Sequence, residues 1–223
     1  MSFSAASPGR APTDAVKSAR VVAAFDFDGT LTRRDTLLPF LARGLGWPRF
    51  LGVLLRCLPW LLAYALRLMA NDVAKQKLFL TAFKGRTVLE VQHWTSRWLA
   101  LDLPGQLQDW TTDRLAWHQA QGHCCVMVSA SPDIYLSAVA KKLGFEGLIC
   151  TEMEVIDERL TGLMQTPNCY GEQKVVRLTS WLAQRYGEQA DALTLHAYGD
   201  TPGDWPMLRM AQHAWYRGQP WTG

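Results

Sequence analysis

The stretch VVAAFDFDGT, residues 21–30, decides the fold, because an apolar run of strand length leads directly into two aspartates. We expect the run to form a buried strand. The backbone turns away where such a strand ends, so Asp26 and Asp28 can converge on one cavity. Two carboxylates that close repel each other unless a cation lies between them or one keeps a proton. The pair therefore predicts a nucleophile beside a proton-transfer group, although a simple Asp-Gly turn explains the same letters.

A second apolar run, residues 124–128, predicts another buried strand, and the letters SAS at 129–131 follow it before a helical run. This strand end offers a hydroxyl group and loop amides to a phosphate. Lys174 opens a further helical run at 175–186, where its ammonium group can neutralise a phosphate oxygen. Considered without the other motifs, Ser129 would be interpreted as a turn residue and Lys174 as a solvated lysine.

A third apolar run, residues 193–198, ends in Gly199 and Asp200, and Asp204 follows four residues later. Considered without the other motifs, these two carboxylates would be interpreted as capping groups of a loop. In chain order, however, all of these polar groups stand at a strand end or a helix start. Strands that alternate with helices predict a parallel sheet covered on both faces, so we expect the groups to meet at its carboxyl edge.

Together, four segments resemble the haloacid-dehalogenase superfamily of phosphatases, and specifically its phosphoserine-phosphatase-like branch. In family order they are DFDGTLT (26–32), VMVSAS (126–131), Lys174 within YGEQKVVRL, and GDTPGDWPML (199–208). The resemblance implies an α/β fold in which a Rossmann-like parallel sheet core carries an inserted α-helical cap. It specifies the substrate poorly, because Gly203 stands where many phosphoserine phosphatases have Asn.

The same resemblance implies a role for each motif residue. Asp26 would be the nucleophile that forms an aspartyl-phosphate, and Asp28 the acid and then the base. A Mg²⁺ site would be formed by the carboxylates of Asp26 and Asp200 and the backbone carbonyl of Asp28, with Asp204 as a further ligand or as an orienting group. Mg²⁺ prefers oxygen ligands and retains waters, so few protein groups suffice. The phosphoryl oxygens would contact Ser129, Lys174 and the amides around Phe27, Gly29 and Ala130.

About ninety residues after the first strand show helical and no strand periodicity, as at 87–99 and 107–117. We interpret them as a cap that excludes water and selects the substrate. Asp35 matches the position at which an acidic residue of phosphoserine phosphatases meets the substrate amine, but capping of a helix explains it equally. The predicted domains are a tail (1–20), an α/β core (21–34 and 121–223) and a helical cap (35–120).

The stretch FLGVLLRCLPWLLAYALRLMA, residues 50–70, is as long as a bilayer span, but Arg56, Pro59 and Arg67 interrupt it. We favour two cap helices separated at Pro59. The alternative is a pair of helices that rest on a membrane surface, since basic residues flank an apolar face. The chain is also similar, more loosely, to bacterial phosphatidylglycerophosphate phosphatases of this superfamily, which carry an apolar cap segment.

Composition narrows the function further. The 223 residues are 48% hydrophobic and carry a net charge of +3, and no basic run is interleaved with aromatic residues, so nucleic acid is not expected as a partner. The five cysteines form no CxxC pair, and the five histidines lack metal-site spacing. Residues 1–20 lack the apolar core of a secretory signal, so we expect a cytoplasmic protein.

These observations favour a Mg²⁺-dependent phosphomonoester hydrolase that acts on a small, phosphoserine-like metabolite. A lipid-phosphate phosphatase at the membrane surface is the first alternative, and a phosphotransferase is another enzyme with the same first step. A catalytically silent phosphate-binding or membrane-associated scaffold is the alternative of a different class. The presence of Asp28 argues against silence, because superfamily members without this carboxylate tend to lose hydrolysis of simple esters.

Overall fold

The computed structural model describes residues 21–223, so the predicted tail lies outside the described residues. The strands are β1 (Val21–Phe25), β2 (Cys124–Pro132), β3 (Gly147–Thr151), β4 (Met153–Ile156), β5 (Arg159–Met164), β6 (Thr194–Gly199), β7 (His213–Tyr216) and β8 (Gln219–Pro220). Six of them form one sheet in the order β3-β2-β1-β6-β7-β8, while β4 and β5 pair separately. Neighbours in the large sheet run parallel except β7 and β8.

Helices surround this sheet and make up most of the segment between β1 and β2. They are α1 (Leu37–Leu45), α2 (Trp47–Ala65), α3 (Asn71–Phe83), α4 (Val88–Leu101), α5 (Leu103–Gln106), α6 (Asp109–Ala120), α7 (Asp133–Lys142), α8 (Glu172–Tyr186) and α9 (Trp205–Met210). Short helical turns occupy Phe27–Leu31, Gly187–Ala192 and Pro202–Asp204. The predicted α/β core with a mainly parallel sheet is confirmed.

The central strand β1 shows why the sheet is covered on both faces. Ala23 and Phe25 pack into one buried cluster together with α6 and α7, whereas Val22 and Ala24 pack into a second cluster together with α8 and α9. Successive side chains of a strand point to opposite faces, so an unbroken apolar run is buried on both. β1 lies between β2 and β6, which brings three strand ends together at the centre of the carboxyl edge.

The cap prediction concerns residues 35–120, and its boundaries stay a prediction. Within this segment α6 lies against the sheet: His118 Nε2 is 2.9 Å from Tyr198 Oη, and Thr111 Oγ1 donates to the Thr30 carbonyl at 2.7 Å. We therefore propose that the cap ends before α6. The β4–β5 hairpin packs on α3. The two elements approach so closely that a Cβ at Gly162 would lie 2.8 Å from the Leu80 Cα.

The prediction of two helices separated at Pro59 is wrong, because α2 continues through this residue to Ala65. Proline removes one helical hydrogen bond, and its ring crowds the preceding turn. Pro59 lies on the solvent side of α2, where water can hydrate the released carbonyl. Among residues 21–223, none of the helices combines the length and apolarity that crossing a bilayer requires.

The apolar pattern of residues 147–154 predicts one further strand, and this prediction is wrong in its extent. The segment is divided at Glu152 into β3, which belongs to the large sheet, and β4, which belongs to the hairpin. The sequence also predicts a turn or hairpin at residues 159–162; a hairpin is present, but its turn lies at Asp157 and Glu158, both with positive φ, and residues 159–162 belong to strand β5. All five cysteines are buried and free.

Candidate active site

The predicted site residues all line one cavity of about 350 Å³ at the carboxyl edge of the sheet. Asp26 directly follows β1, Asp200 directly follows β6, and Ser129 lies near the end of β2. Lys174 reaches the cavity from the first turn of α8. The convergence follows from parallel strands that end at the same edge. The predicted members of the lining are Asp26, Asp28, Gly29, Asp35, Ser129, Ala130, Lys174, Asp200 and Asp204.

Lys174 is buried between two carboxylates. Its Nζ donates to Asp26 Oδ1 at 2.6 Å, to Asp204 Oδ1 at 2.6 Å and to the Val128 carbonyl at 2.9 Å. Burial alone would lower the pKa of Lys174, but Asp26 and Asp204 outweigh it and raise that pKa. Burial raises the pKa of Asp26, the Asp204 charge raises it further, and Lys174 opposes both. The lysine thus holds one oxygen of Asp26 in place.

Asp28 has a different set of partners, all of them hydroxyl groups or a backbone amide. Its Oδ1 accepts from the Thr36 amide at 2.7 Å and from Thr36 Oγ1 at 2.6 Å, and its Oδ2 accepts from Ser131 Oγ at 2.5 Å. Burial, followed by the charge of Asp35, raises the pKa of Asp28 to about 6, while these hydrogen bonds lower it. A carboxyl group with such a pKa can give and take a proton near neutral pH.

The turn that carries Asp28 is fixed by glycine and by glutamine. Gly29 has φ +84°, and a Cβ there would lie 2.2 Å from Asp200 Oδ2, so this position needs glycine for both conformation and space. Gln108 Nε2 donates to the carbonyls of Gly29 at 2.6 Å and Thr32 at 2.7 Å. Nothing in the sequence marks Gln108, since a single glutamine before a helix belongs to no motif.

Three carboxylates of the site, those of Asp26, Asp200 and Asp204, place ligand atoms within 4.8 Å of one another. Burial and the Asp204 charge raise the pKa of Asp200, which is the effect that a bound cation would remove. The oxygens of Asp204 are already engaged: Oδ1 accepts from Lys174, and Oδ2 accepts from Thr201 Oγ1 and two backbone amides. The donor set therefore fits a hard divalent cation such as Mg²⁺, with Asp204 as an orienting group.

Two of the predicted phosphate-binding groups, Ser129 and Ala130, lie near the end of β2 and line the cavity. Ser129 is buried, and its Oγ accepts from the Ser131 amide at 3.1 Å. The Ala130 carbonyl accepts from Lys75 Nζ and Thr151 Oγ1, each at 2.8 Å. The end of β2, where the register shifts between Ser129 and Pro132, is thus held in place by side-chain hydrogen bonds.

Lys75 was missed by the sequence analysis. It extends from cap helix α3 into the cavity and also donates to Asn168 Oδ1 at 3.2 Å. Burial lowers its pKa, and the charges of Asp28 and Asp35 oppose this. Lys75 therefore brings a second cation to the cavity and connects the cap with the core loops.

Two further positions of the cavity lining are Asp35 and Tyr170. Asp35 precedes the N-cap residue of α1, Thr36; its Oδ1 accepts from the Leu37 amide at the start of the helix at 3.0 Å, and its side chain also lines the cavity. The two explanations for Asp35 are therefore compatible. A Cβ at Gly203 would lie 2.2 Å from a Tyr170 ring carbon, which means that Tyr170 fills the room beside this glycine.

The histidines, scattered in sequence, gather under α6 away from the catalytic cavity. His118 Nδ1 is 2.8 Å from His123 Nδ1, and the ring centroids of His118 and His196 are 4.9 Å apart. His213 is next in line, with its ring centroid 4.6 Å from that of His196. Burial, followed by neighbouring histidines, lowers the pKa of His118 to about 3 and that of His196 to about 4. The spacing of these histidines along the chain does not predict that they form a cluster.

Comparisons with known proteins concern the family and the fold of the chain. The model of the haloacid dehalogenase-like hydrolase family matches residues 23–209. Protein CicA of Caulobacter vibrioides is 34% identical, over 88% of this chain and 86% of its own. A probable phosphatase of Mycobacterium tuberculosis is 28% identical, over 93% of this chain and 72% of its own. A substrate-bound phosphoserine phosphatase shares the fold, with a TM-score of 0.61 at 17% identity over 90% of this chain and 87% of that one.

Proposed function

Because the chain belongs to the haloacid dehalogenase-like hydrolase family, we propose that it is a Mg²⁺-dependent phosphatase that hydrolyses phosphomonoesters through an aspartyl-phosphate on Asp26. The observation that carries the proposal is the contrast between two neighbouring carboxylates. Asp26 is held by the ammonium group of Lys174, whereas Asp28 is held by the hydroxyl groups of Thr36 and Ser131. Environments that differ in this way suit one group for attack and the other for proton transfer.

In the first step a carboxylate oxygen of Asp26 attacks phosphorus, and the bond from phosphorus to the ester oxygen breaks. Asp28 gives its proton to the departing alkoxide, which leaves as an alcohol. In the second step Asp28 takes a proton from water, whose oxygen attacks phosphorus. The bond between Asp26 and phosphorus then breaks and inorganic phosphate is released, so both carboxyl groups return to their starting state.

The other residues of the cavity stabilise charge. Lys174 and the end of β2 at Ser129 and Ala130 face the place where the phosphoryl oxygens would lie, and positive or hydrogen-bond-donating groups there favour the transition state. The carboxylates of Asp26 and Asp200, with the backbone carbonyl of Asp28, would hold Mg²⁺. When bound, the ion neutralises the charge of the carboxylates and of the phosphoryl group.

The lining of the cavity favours a small polar group next to the phosphate. Asp35, Lys75 and Asn71 face it from the cap side, so both an amine and an anion of the substrate can find partners. This pattern supports a phosphoserine-like headgroup. The printed name of the M. tuberculosis relative, a probable phosphatase, agrees with the reaction class.

The test is a phosphate-release screen with Mg²⁺ over phosphoserine, other small phosphomonoesters and a lipid phosphomonoester. We expect turnover that disappears with EDTA and in Asp26→Asn. The matched control is Asp113→Asn, which changes an exposed carboxylate on α6 and should keep full activity. A phosphoryl label from the substrate should remain on the acid-quenched protein, be released by hydroxylamine, and be absent from Asp26→Asn.

Three results would contradict the proposal. Unchanged turnover in Asp26→Asn would show that Asp26 is not the nucleophile. Transfer of the label to an added alcohol in preference to water would indicate a phosphotransferase. Binding of phosphate without turnover on any ester would indicate the silent scaffold.

A further inference from the structure

A second cavity, of about 590 Å³, lies beside the catalytic one and among the helices that follow β1. Its lining comes from α1, from the start of α2 and from the second half of α4. Arg34, which precedes α1, lines both cavities, so the two meet at this side chain. A molecule that is bound in the catalytic cavity can therefore continue past Arg34 into the second one.

The walls of the second cavity are fixed by close packing of α1 against α4. A Cβ at Gly44 of α1 would lie 2.3 Å from the Trp94 ring, so a larger residue would push the two helices apart. The Phe40 ring of α1 meets the rings of Trp94 and Trp98 with centroid distances of 6.4 Å and 5.9 Å. These aromatic side chains are buried. Because buried packing holds both helices in place, the second cavity is formed before any ligand binds.

The second cavity carries an excess of positive charge. Three arginines, Arg34, Arg43 and Arg97, line it against the single carboxylate of Asp102. Both oxygens of Asp102 accept from Arg43, at 2.8 Å from Nε and at 2.5 Å from Nη2. Among residues 21–223, no carboxylate lies within salt-bridge distance of Arg34 or Arg97. Two guanidinium groups therefore remain available to an anion in this cavity.

The second cavity also has an apolar part, which Leu38, Trp47 and Phe50 line. Phe50 is buried, and its ring meets that of Trp47 in a T-shaped contact with centroids 5.8 Å apart. Trp47 nevertheless keeps 75% of its surface exposed. An indole ring that is held by one neighbour and otherwise open offers a surface on which a flat group can stack. The cavity thus combines cations with an aromatic surface.

We propose that the second cavity binds the far end of the substrate and that this end carries a second anionic group. With the phosphate that is hydrolysed at Asp26, the distal anion would contact Arg34 and Arg97, and a flat group between the two anions would stack on Trp47. The substrate class is thus a phosphomonoester whose alcohol bears another phosphate, sulfate or carboxylate group. This assignment rests on the proposed function, whereas the anion site itself does not depend on catalysis.

The alternative occupant is a regulatory anion that is no part of the substrate. Arg34 favours the substrate, because one guanidinium group that borders both cavities can contact two anions of the same molecule. The two cases differ in a measurable respect. A ligand of the catalytic cavity displaces a substrate that spans both cavities, whereas it does not displace an anion that occupies the second cavity alone.

Two matched pairs of esters test the substrate class, because the members of a pair differ only in the distal anion. One pair is para-carboxyethylphenyl phosphate and para-ethylphenyl phosphate, and the other is hexanediol bisphosphate and hexyl phosphate. We expect kcat/KM to be about tenfold higher for the member with the distal anion in at least one pair. This preference should decrease as the salt concentration rises, since the arginines are exposed.

Arg97→Gln is the decisive variant, because Arg97 lines the second cavity and not the catalytic one. It should abolish the preference for the distal anion and leave turnover of para-ethylphenyl phosphate and hexyl phosphate unchanged. The matched control is Arg49→Gln, which removes the same charge from an exposed arginine of α2 that lines neither cavity, and it should keep the preference. In the inactive Asp26→Asn chain, calorimetry should show that Arg97→Gln weakens binding of the distal-anion esters about tenfold.

Three results would overturn the assignment: equal kcat/KM within both pairs, equal effects of Arg97→Gln and Arg49→Gln, or binding to Asp26→Asn that the ester without the distal anion fails to displace. The last result would identify a regulatory anion site. Turnover without a preference within either pair would refute the role of the second cavity and leave the phosphatase intact. Conversely, binding that depends on Arg97 in a chain that hydrolyses no ester would refute the proposed function and leave the anion site intact.

Discussion

The Nζ atom of Lys174 lies 2.6 Å from Oδ1 of Asp26, and the lysine side chain is 2% exposed. A buried ammonium group is stable only when carboxylates compensate its charge, and here Asp204 supplies the second one. The pair therefore contributes to the fold and also sets the position of the proposed nucleophile. Stability and the proposed catalysis would then depend on the same contact.

Replacing the lysine should therefore affect both properties. In Lys174→Met the carboxylates of Asp26 and Asp204 face each other without a cation, and we expect a loss of about 3–5 kcal/mol in the free energy of unfolding. Turnover should fall by about 100-fold or more at saturating substrate, since a charge that stabilises the transition state is lost. Urea unfolding and steady-state kinetics measure the two effects. The control is Lys142→Met, at the exposed end of α7, which should change neither the free energy of unfolding nor turnover. Full activity in Lys174→Met would exclude the role proposed for Lys174.

The hydroxyl groups around Asp28 should control the pH dependence. Hydrogen bonds from Thr36 and Ser131 favour the ionised form and so lower the pKa of Asp28. In Thr36→Val and Ser131→Ala this pKa should rise further, by up to about one unit. The step in which Asp28 accepts a proton then needs a higher pH, so the acid limb of the pH-rate profile should shift upward. The control is Thr95→Val, which removes a buried hydroxyl group elsewhere and should leave the acid limb unchanged. If the limb did not shift in Thr36→Val either, Asp28 would not be the base.

The motif at residues 26–32 illustrates what the sequence could predict. An apolar run followed by two aspartates indicates a buried strand and its carboxyl end from local pattern alone, and the predicted superfamily and α/β fold are confirmed by the family match. Pro59 shows the opposite case. Whether a proline ends a helix depends on which side of the helix faces water, and that is decided by the packing of α2 on the cap.

Lys75 shows why part of the candidate site escaped the sequence. Its role depends on the placement of α3 over the end of β2, a contact between residues 55 positions apart. We expect Lys75→Met to raise KM about tenfold, because a cation that faces the substrate and a connection between cap and core are lost together. Lys77→Met is the control two residues along α3, where the ammonium group lies over the Trp60 ring. A fall in kcat with unchanged KM would assign Lys75 to the chemical step instead.

The histidine cluster should make the fold sensitive to acid, far from the catalytic cavity. Burial holds the pKa values of His118 and His196 at about 3 and about 4 in the folded chain, against 6.5 when the chain is unfolded. The unfolded chain therefore binds protons first, and the stability present above pH 6.5 is lost as the pH falls toward the folded values. Between about pH 7.5 and about pH 5 each histidine should contribute a loss of about 2 kcal/mol.

His196→Phe isolates this effect, because the phenyl ring can keep the stacking on Trp215 but binds no proton. We expect urea unfolding of this variant to depend less on pH over the same range, by roughly the contribution of one histidine. His93→Phe replaces an exposed histidine of α4 and should keep the full pH dependence of the natural chain. If both variants retained the same pH dependence, the acid sensitivity would have to originate in the carboxylates and not in the cluster under α6.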